Sequence, residues 1–217
     1  MPTGLFITLE GGEGSGKSTQ VRSLTRRLRA LAVPVTTVRE PGGTLLGNRL
    51  RNLLKFSPVP LTPEAELLLF NASRAQLVED VVRPVLERGE VILCDRFTDS
   101  TMAYQGYGRG ILLESVGAVN NFATGGLKPD LTVFLDLHPE EGMRRRSTNR
   151  DRFEQGFEDR EIMEFHQRVR QGYLELASKE PERWLALDAR LSPREVSRLI
   201  WQSVEPIIEK MGLARAP

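Results

Sequence analysis

The sequence predicts a doubly wound α/β fold built on a five-stranded parallel sheet. Short β-like runs occur at residues 5–9, 35–38, 91–94, 131–135 and 184–187, and helical patterns separate them. Apolar runs without alternation are typical of strands buried on both faces, and strand–helix alternation requires crossover connections. With 217 residues, 40% of them hydrophobic, and no repeat or long linker, we expect one domain over residues 1–217.

Composition argues against several other classes of protein. Lys and Arg number 30 against 29 Asp and Glu, so no overall field favours a nucleic-acid polymer or an anionic membrane as partner. The single cysteine, Cys94, lies in an apolar run, which argues against a disulfide framework and fits a reducing compartment. We find neither a signal sequence nor the ~18 apolar residues of a spanning helix. We therefore expect a soluble, cytoplasmic protein.

A glycine-rich stretch directly after the apolar run at residues 5–9 predicts a phosphate-binding loop. Residues 11–18, Gly-Gly-Glu-Gly-Ser-Gly-Lys-Ser, fit G-x-x-x-x-G-K-[ST] and open a helix expected over about 17–30. In that context backbone N–H groups and the helix N-terminus wrap a phosphate of ATP or GTP. Lys17 would reach the outer phosphates, and the Ser18 hydroxyl would help to hold Mg²⁺. The expected nucleotide-binding residues are Gly11, Gly12, Glu13, Gly14, Ser15, Gly16, Lys17, Ser18 and Thr19.

Charged residues follow two further strands at the same edge of the predicted sheet. Arg39 comes directly after the second run, and Asp95 and Arg96 come directly after the third. Ligands of open parallel sheets bind at the carboxyl ends of strands, so these side chains are expected beside the phosphate loop. A carboxylate there suits a metal, which assigns Asp95 with Ser18 to Mg²⁺, and an arginine fork suits phosphate oxygens. A simple ion pair between Asp95 and Arg96 is the competing account.

The stretches between strands supply further candidate ligands. Thr62 is expected to cap a helix over about 64–86, which carries Phe70 and Arg74 four residues apart on one face. Taken alone, Phe70 is more readily explained as a core residue. Another helix begins near Ser100, where hydroxyl and amide side chains are spaced to face one pocket.

The end of the chain supplies a basic cluster and two helices. The cluster contains Arg144, Arg145, Arg146, Arg150 and Arg152. A charge run is usually a solvated helix face, but polar residues 147–149 interrupt this one, which suits a lid over about 142–158 that closes on phosphates. Helices are expected over about 160–177 and, after a capping box at residues 192–195, at the C-terminus. His138 and His166 are far apart in sequence and support neither a histidine metal site nor a catalytic triad.

These motifs together resemble the thymidylate kinase family, in its bacterial type with a basic lid, along nearly the whole chain. The matching stretches, in order, are residues 10–18, 39–44, Phe70 with Arg74, 95–97, 103–110 and 129–131. The resemblance implies a nucleoside monophosphate kinase fold with a lid, and transfer of the γ-phosphoryl of ATP to thymidine monophosphate with Mg²⁺. It also implies a homodimer.

The resemblance further implies a role for each site residue. The acceptor would contact Glu13, Arg39, Phe70, Arg74, Arg96, Ser100, Thr101, Tyr104 and Gln105. Of these, Phe70 would stack on thymine, Arg74 with Thr101 and Gln105 would address its polar edge, and Tyr104 would crowd the sugar 2′ position. Residues 12–15 of the phosphate loop carry no cation, so the lid must supply one. The expected catalytic residues are Lys17, Arg96, Arg146 and Arg150.

Two alternatives stay open at this point. The first is another nucleotide or deoxynucleoside kinase of the same fold. A nucleoside kinase needs a general base, whereas Arg39 and Arg96 suit an acceptor that already carries a phosphate. The second is a nucleotide-hydrolysing switch protein, in which Phe70, Tyr104 and Gln105 would have no purpose.

Overall fold

The computed structural model describes residues 4–147 and 160–213. Its centre is a parallel sheet of five strands in the order β2-β3-β1-β4-β5. The strands are β1 Leu5–Glu10, β2 Val35–Arg39, β3 Val91–Asp95, β4 Leu131–Asp136 and β5 Trp184–Asp188. The predicted five-stranded parallel sheet is therefore confirmed. Each strand extends one residue beyond its predicted run, and that last residue is charged in every case.

Nine α-helices lie in the described part of the chain. They are α1 Lys17–Ala30, α2 Leu45–Phe56, α3 Pro63–Leu77, α4 Arg83–Glu87, α5 Thr98–Thr101, α6 Leu113–Thr124, α7 Pro139–Ser147, α8 Arg160–Lys179 and α9 Pro193–Lys210. The helix expected over 64–86 is thus α3 and α4, joined by a π-helical segment, Val78–Val82. A second π-helical segment, Met102–Gly108, continues α5, and a 3₁₀ turn, Pro181–Arg183, precedes β5.

Caps identified from the sequence fix two of the helix starts. The Thr62 side chain accepts a 3.2 Å hydrogen bond from the Ala65 N–H, and Pro63 occupies the first turn of α3. Ser192 and Glu195 form the reciprocal capping box at the start of α9. Such caps satisfy N–H groups that have no partner inside the helix.

Helices cover both faces of the sheet, as a doubly wound fold requires. On one face, α1 and α9 pack Leu28 and Val204 against β1, β3 and β4. On the other, Leu77 and Leu86 pack against Phe6 and Ile92. A third buried cluster joins α8 to β4 and β5.

The expectation that every strand is buried on both faces is wrong for the two edge strands, since Ala186 of β5 is exposed and β2 departs further. Its burial alternates between half-buried and exposed, with Thr37 and Arg39 exposed, whereas the residues of β1 are all buried. The reason is position, because β2 lies at the edge of the sheet and β1 at its centre. Within the described ranges, no helix has the length and apolar character needed to cross a bilayer.

Candidate active site

The phosphate loop joins β1 to α1 at the carboxyl edge of the sheet. Gly14 has a φ of 67°, and a Cβ there would lie 2.3 Å from the Gly142 carbonyl oxygen. Glycine at this position is therefore required both by the left-handed conformation and by the close approach of α7. The loop is held directly against the helix that begins the predicted lid.

Lys17 folds back over this loop. Its Nζ donates hydrogen bonds of 2.9 Å and 2.8 Å to the carbonyl oxygens of Gly11 and Gly12. Burial lowers the pKa of Lys17 to about 8, and the charge of Arg96 acts in the same direction. The ammonium is thus desolvated and positioned at the loop, where a polyphosphate would compete for its hydrogen bonds.

Ser18 and Asp95, the residues predicted to bind Mg²⁺, are in direct contact. The Ser18 hydroxyl donates a 3.1 Å hydrogen bond to Asp95 Oδ2. Hydroxyl and carboxylate oxygens are the hard ligands that Mg²⁺ prefers, and Mg²⁺ commonly takes few protein ligands besides phosphates and water. The described residues contain no group of three His, Cys, Asp or Glu side chains able to hold a metal. The pair therefore fits a magnesium ion that is held mainly by a bound nucleotide.

Arg96 links the phosphate loop to Tyr104, one of the residues predicted to contact the acceptor. Its Nη2 lies 3.0 Å from Glu13 Oε1 and 3.2 Å from the Tyr104 hydroxyl. Its partner is thus Glu13, so the simple Asp95–Arg96 ion pair is not formed. Arg96 has a φ of 73°, a conformation that costs a non-glycine residue about 1 to 3 kcal/mol and persists where surrounding contacts fix it.

Glu10, the last residue of β1, is fully buried. Its carboxyl group accepts hydrogen bonds from the Phe97 N–H at 2.7 Å, the Ser100 hydroxyl at 2.5 Å and the Tyr173 hydroxyl at 2.9 Å. Burial, followed by the charge of Asp99, raises the pKa of Glu10 to about 7. Sequence reasoning assigned no role to Glu10, since two of its partners, Ser100 and Tyr173, lie on distant segments.

Arg51, on helix α2, lines the same cleft as Arg39, which is predicted to contact the acceptor. Arg39 is exposed at the end of β2, and Arg51 Nη1 donates a 3.0 Å hydrogen bond to the Pro41 carbonyl oxygen. Burial lowers the pKa of Arg51, and the charges of Arg39 and Arg96 contribute. Sequence reasoning missed Arg51. The available signal was Thr44, which caps α2 and so places Arg51 two turns into a helix that starts at the sheet edge.

Arg74 is placed differently from its predicted role at the base edge. Its side chain is 1% exposed and forms an ion pair of 2.6 Å with Glu40. Its five N–H donors are all engaged, by Glu40, Asn71, Phe97, Thr101 and Asn120. A base oxygen can reach this guanidinium only by replacing one of these partners, and the base contact stays a prediction.

Phe70 and Gln105 lie beside these arginines. Phe70 is half-buried and lies outside the three buried apolar clusters, which weakens the core explanation for it. The Gln105 side-chain nitrogen donates a 2.6 Å hydrogen bond to Glu66. Tyr104 lies next to Arg96, whose guanidinium is 4.9 Å from the centre of the tyrosine ring.

One cleft of about 1630 Å³ brings the predicted residues together. It is lined by Glu13, Gly14, Ser15, Gly16, Lys17, Ser18, Thr19, Arg39, Phe70, Arg74, Asp95, Arg96, Ser100, Thr101, Tyr104 and Gln105. Gly11 and Gly12 are not part of this lining, but their carbonyl oxygens accept hydrogen bonds from Lys17, which is.

Only part of the predicted lid falls within the described residues. In α7, Arg144 pairs with Glu141, while Arg145 contacts Glu141 and the Ala189 carbonyl oxygen and lines the cleft. The Arg146 side chain and the whole of Arg150, the two expected lid arginines, lie outside the described residues.

A phosphate loop that shares one cleft with the arginines Arg39, Arg51, Arg74 and Arg96 is typical of a phosphate-loop nucleotide kinase. Phosphoryl transfer needs the two phosphates aligned and their charge neutralised, and the loop and the arginines supply both requirements.

Comparison with known proteins narrows this class. The family model for thymidylate kinase matches residues 9–200. A thymidylate kinase of Synechococcus sp. (strain JA-2-3B'a(2-13)) is 51% identical over 213 residues, covering 98% of this chain and 100% of that protein. That of Deinococcus radiodurans is 52% identical over 206 residues, covering 94% and 98%. A crystal structure of thymidylate kinase from Ehrlichia chaffeensis matches with a TM-score of 0.75 and 34% identity, covering 93% and 98% of the two chains.

The chain belongs to the thymidylate kinase family, and it is a kinase. This confirms the resemblance drawn from the motifs at residues 10–18, 39–44 and 95–97. The comparisons give no support to the alternatives of another nucleotide kinase or a hydrolysing switch protein.

Proposed function

We propose that the protein is a cytoplasmic enzyme that transfers the γ-phosphoryl group of ATP to thymidine monophosphate, giving ADP and thymidine diphosphate. The observation that carries this proposal is the position of Arg96. It contacts Glu13 in the phosphate loop and Tyr104 across the cleft, so one guanidinium would border both substrates.

The reaction needs alignment more than it needs a base. The acceptor phosphate already carries a nucleophilic oxygen, which attacks the γ-phosphorus as the bond to the β-phosphate oxygen breaks. In this scheme Lys17 neutralises the donor phosphates, and Arg39, Arg51 and Arg96 hold the acceptor phosphate in line. Fixed cations in a partly dehydrated cleft stabilise the charge on the transferring group.

Mg²⁺ fits the same arrangement. We assign it to Ser18 and Asp95, whose oxygens are 3.1 Å apart at the mouth of the loop. When bound, the ion supplies positive charge to the β- and γ-phosphates. The hydrogen bond to Asp95 also orients the Ser18 hydroxyl, whose lone pairs stay available to the ion.

A second copy of the chain is the proposed partner. Helices α2, α3 and α6 pack side by side and expose large apolar side chains, namely Leu46, Leu53, Phe56, Leu68 and Phe122. Exposed apolar patches of this kind mark interaction sites, and closed two-fold dimers are the commonest assembly. Light scattering should give twice the chain mass of 24.4 kDa, and a monomer mass would overturn the homodimer.

A panel of acceptors with ATP and Mg²⁺ tests the proposed reaction. We expect ADP formation to depend on thymidine monophosphate and to be much slower with the monophosphates of deoxycytidine, deoxyadenosine and deoxyguanosine. ATP turnover that ignores the acceptor would contradict the proposal and favour a hydrolase.

A further inference from the structure

Glu66 and Gln105 form a contact at the base end of the acceptor pocket. The Gln105 side-chain nitrogen lies 2.6 Å from Glu66 Oε1. Glu66 belongs to the first turn of α3, and Gln105 to the π-helical segment Met102–Gly108. Glu66 also precedes Phe70 by four residues, so both side chains share one face of α3.

The chemistry of this contact fixes which end of the Gln105 amide faces Glu66. The Arg109 guanidinium binds the same carboxylate, with Nη2 3.1 Å from Oε2 and Nε 3.4 Å from Oε1. An ionised carboxylate accepts hydrogen bonds and cannot donate them. The Gln105 NH₂ group must therefore face Glu66, and its carbonyl oxygen must point the other way.

The carbonyl oxygen of Gln105 is left as an acceptor at the cleft. The residue is 3% exposed and lines the cleft, yet within the described ranges no hydrogen-bond donor reaches this oxygen. The oxygen is also not one of the buried side-chain atoms that lack a partner, so it is open to the cleft. A hydrogen-bond donor on a bound ligand can therefore reach it.

We propose that Glu66 is a positioning residue that makes the pocket select a pyrimidine with an N3–H donor. It fixes the Gln105 carbonyl oxygen toward the base, so thymine and uracil, which carry a proton on N3, satisfy it. Cytosine presents a bare N3 acceptor and leaves two acceptors facing each other. The inference rests on the proposed function, and on Gln105 contacting the base.

Replacing Glu66 by Gln should reverse the orientation of the Gln105 amide without changing the shape of the side chain at position 66. Arg109 can donate only to the carbonyl oxygen of the new amide, which leaves its NH₂ group facing Gln105. The Gln105 amide then turns over and presents NH₂ to the base. We expect the ratio of the KM for thymidine monophosphate to the inhibition constant of deoxycytidine monophosphate to rise about tenfold, the scale of one exchanged hydrogen bond.

Two comparisons separate positioning from general damage. Deoxyuridine monophosphate also carries an N3–H group, so its affinity should change in parallel with that of thymidine monophosphate. Glu64→Gln removes one charge from the same first turn of α3 at an exposed position and should leave all three constants unchanged. If Glu66→Gln weakened the three nucleotides equally, Glu66 would be merely structural and the proposal would fail.

A further variant distinguishes failure of this inference from failure of the site assignment. Gln105→Ala should raise the KM for thymidine monophosphate while leaving that for ATP unchanged. If the KM for thymidine monophosphate also stayed unchanged, Gln105 would not read the base and the inference would fall with it. If Gln105→Ala behaved as expected but Glu66→Gln left the ratio unchanged, the positioning role alone would be wrong, and the kinase reaction would stand on the acceptor panel.

Discussion

The Ser18 hydroxyl donates a 3.1 Å hydrogen bond to Asp95 Oδ2, joining the start of α1 to the end of β3. Among the described residues Asp95 belongs to no group of three metal-binding side chains, so the proposed magnesium site would depend strongly on this one negative charge. We expect Asp95→Asn to raise the Mg²⁺ concentration needed for half-maximal activity by about tenfold, because a unit charge near a divalent ion is lost.

A second measurement, independent of activity, is the rise in melting temperature that Mg²⁺ and ADP together produce. Asp95→Asn should reduce the shift from the magnesium complex and leave the shift from ADP alone intact. Asp80→Asn, which removes an exposed carboxylate away from the cleft, serves as control. Equal dependence on Mg²⁺ in the parent, Asp95→Asn and Asp80→Asn would show that Asp95 does not bind the metal.

Lys17→Ala should abolish most phosphoryl transfer. Residues 11–18 contain no other cation, and Nζ is already held over the loop by the Gly11 and Gly12 carbonyl oxygens. By analogy with single lost donors in other active sites, we expect kcat to fall about 10²- to 10³-fold or more. Circular dichroism should show an unchanged fold. Near-parental turnover in the folded variant would refute the assignment of the loop.

Phe70→Ala should chiefly raise the KM for thymidine monophosphate. Stacking on a base contributes ~1 to 3 kcal/mol in single-strand binding proteins, which corresponds to a rise of about 5- to 150-fold. Because Phe70 lies outside the buried apolar clusters, its removal should cost little thermal stability. The KM for ATP is the internal control. A lower melting temperature with unchanged acceptor binding would instead restore the core explanation.

Local pattern predicted the sheet and the loop because both depend on neighbouring residues. Each apolar run stops one residue before its strand ends, because the last residue of every strand is charged. The Glu10–Tyr173 contact joins residues 163 positions apart, and Glu40 with Arg74 joins residues 34 apart. Such contacts depend on how the helices pack against the sheet, and local sequence patterns do not specify that packing.

The lid arginines carry a kinetic prediction. Because the phosphate loop has no arginine, charge on the transferring phosphoryl should be met by Arg146 or Arg150 when the lid closes. Arginine fingers contribute about 10³- to 10⁵-fold elsewhere, and we expect at least about tenfold here because Lys17 and Arg96 remain. Alanine at Arg146 or Arg150 should therefore lower kcat more than it weakens nucleotide binding.

Arg144→Ala is the matched control for the lid variants. Its guanidinium is exposed and paired with Glu141, so removing it changes the charge of α7 without touching the cleft. Steady-state kinetics on each single variant and on the Arg146/Arg150 double variant decide the question. A solvated basic face predicts an unchanged kcat in all of them.

Glu10 should make the stability of the protein depend on pH. Its pKa is raised from 4.5 to about 7, first by burial and then by Asp99, so between these values the folded protein holds a proton that the unfolded chain releases. The stabilisation from this proton is complete below about pH 4.5 and is lost as the pH rises to about 7. A shift of this size corresponds to about 3 kcal/mol.

The variant Glu10→Gln isolates this contribution, because a neutral amide mimics the protonated carboxyl at every pH. Other titrating groups are shared by both proteins and cancel in the difference between their free energies of unfolding. We expect urea denaturation at pH 5, 6, 7 and 8 to show the parent losing stability relative to Glu10→Gln as pH rises to about 7, with the difference constant above that. Since the carboxylate also accepts from Phe97, Ser100 and Tyr173, the variant carries a fixed offset, and only the slope is diagnostic. A difference that stays flat from pH 5 to pH 8 would show that Glu10 is ionised throughout, as an ordinary exposed glutamate is.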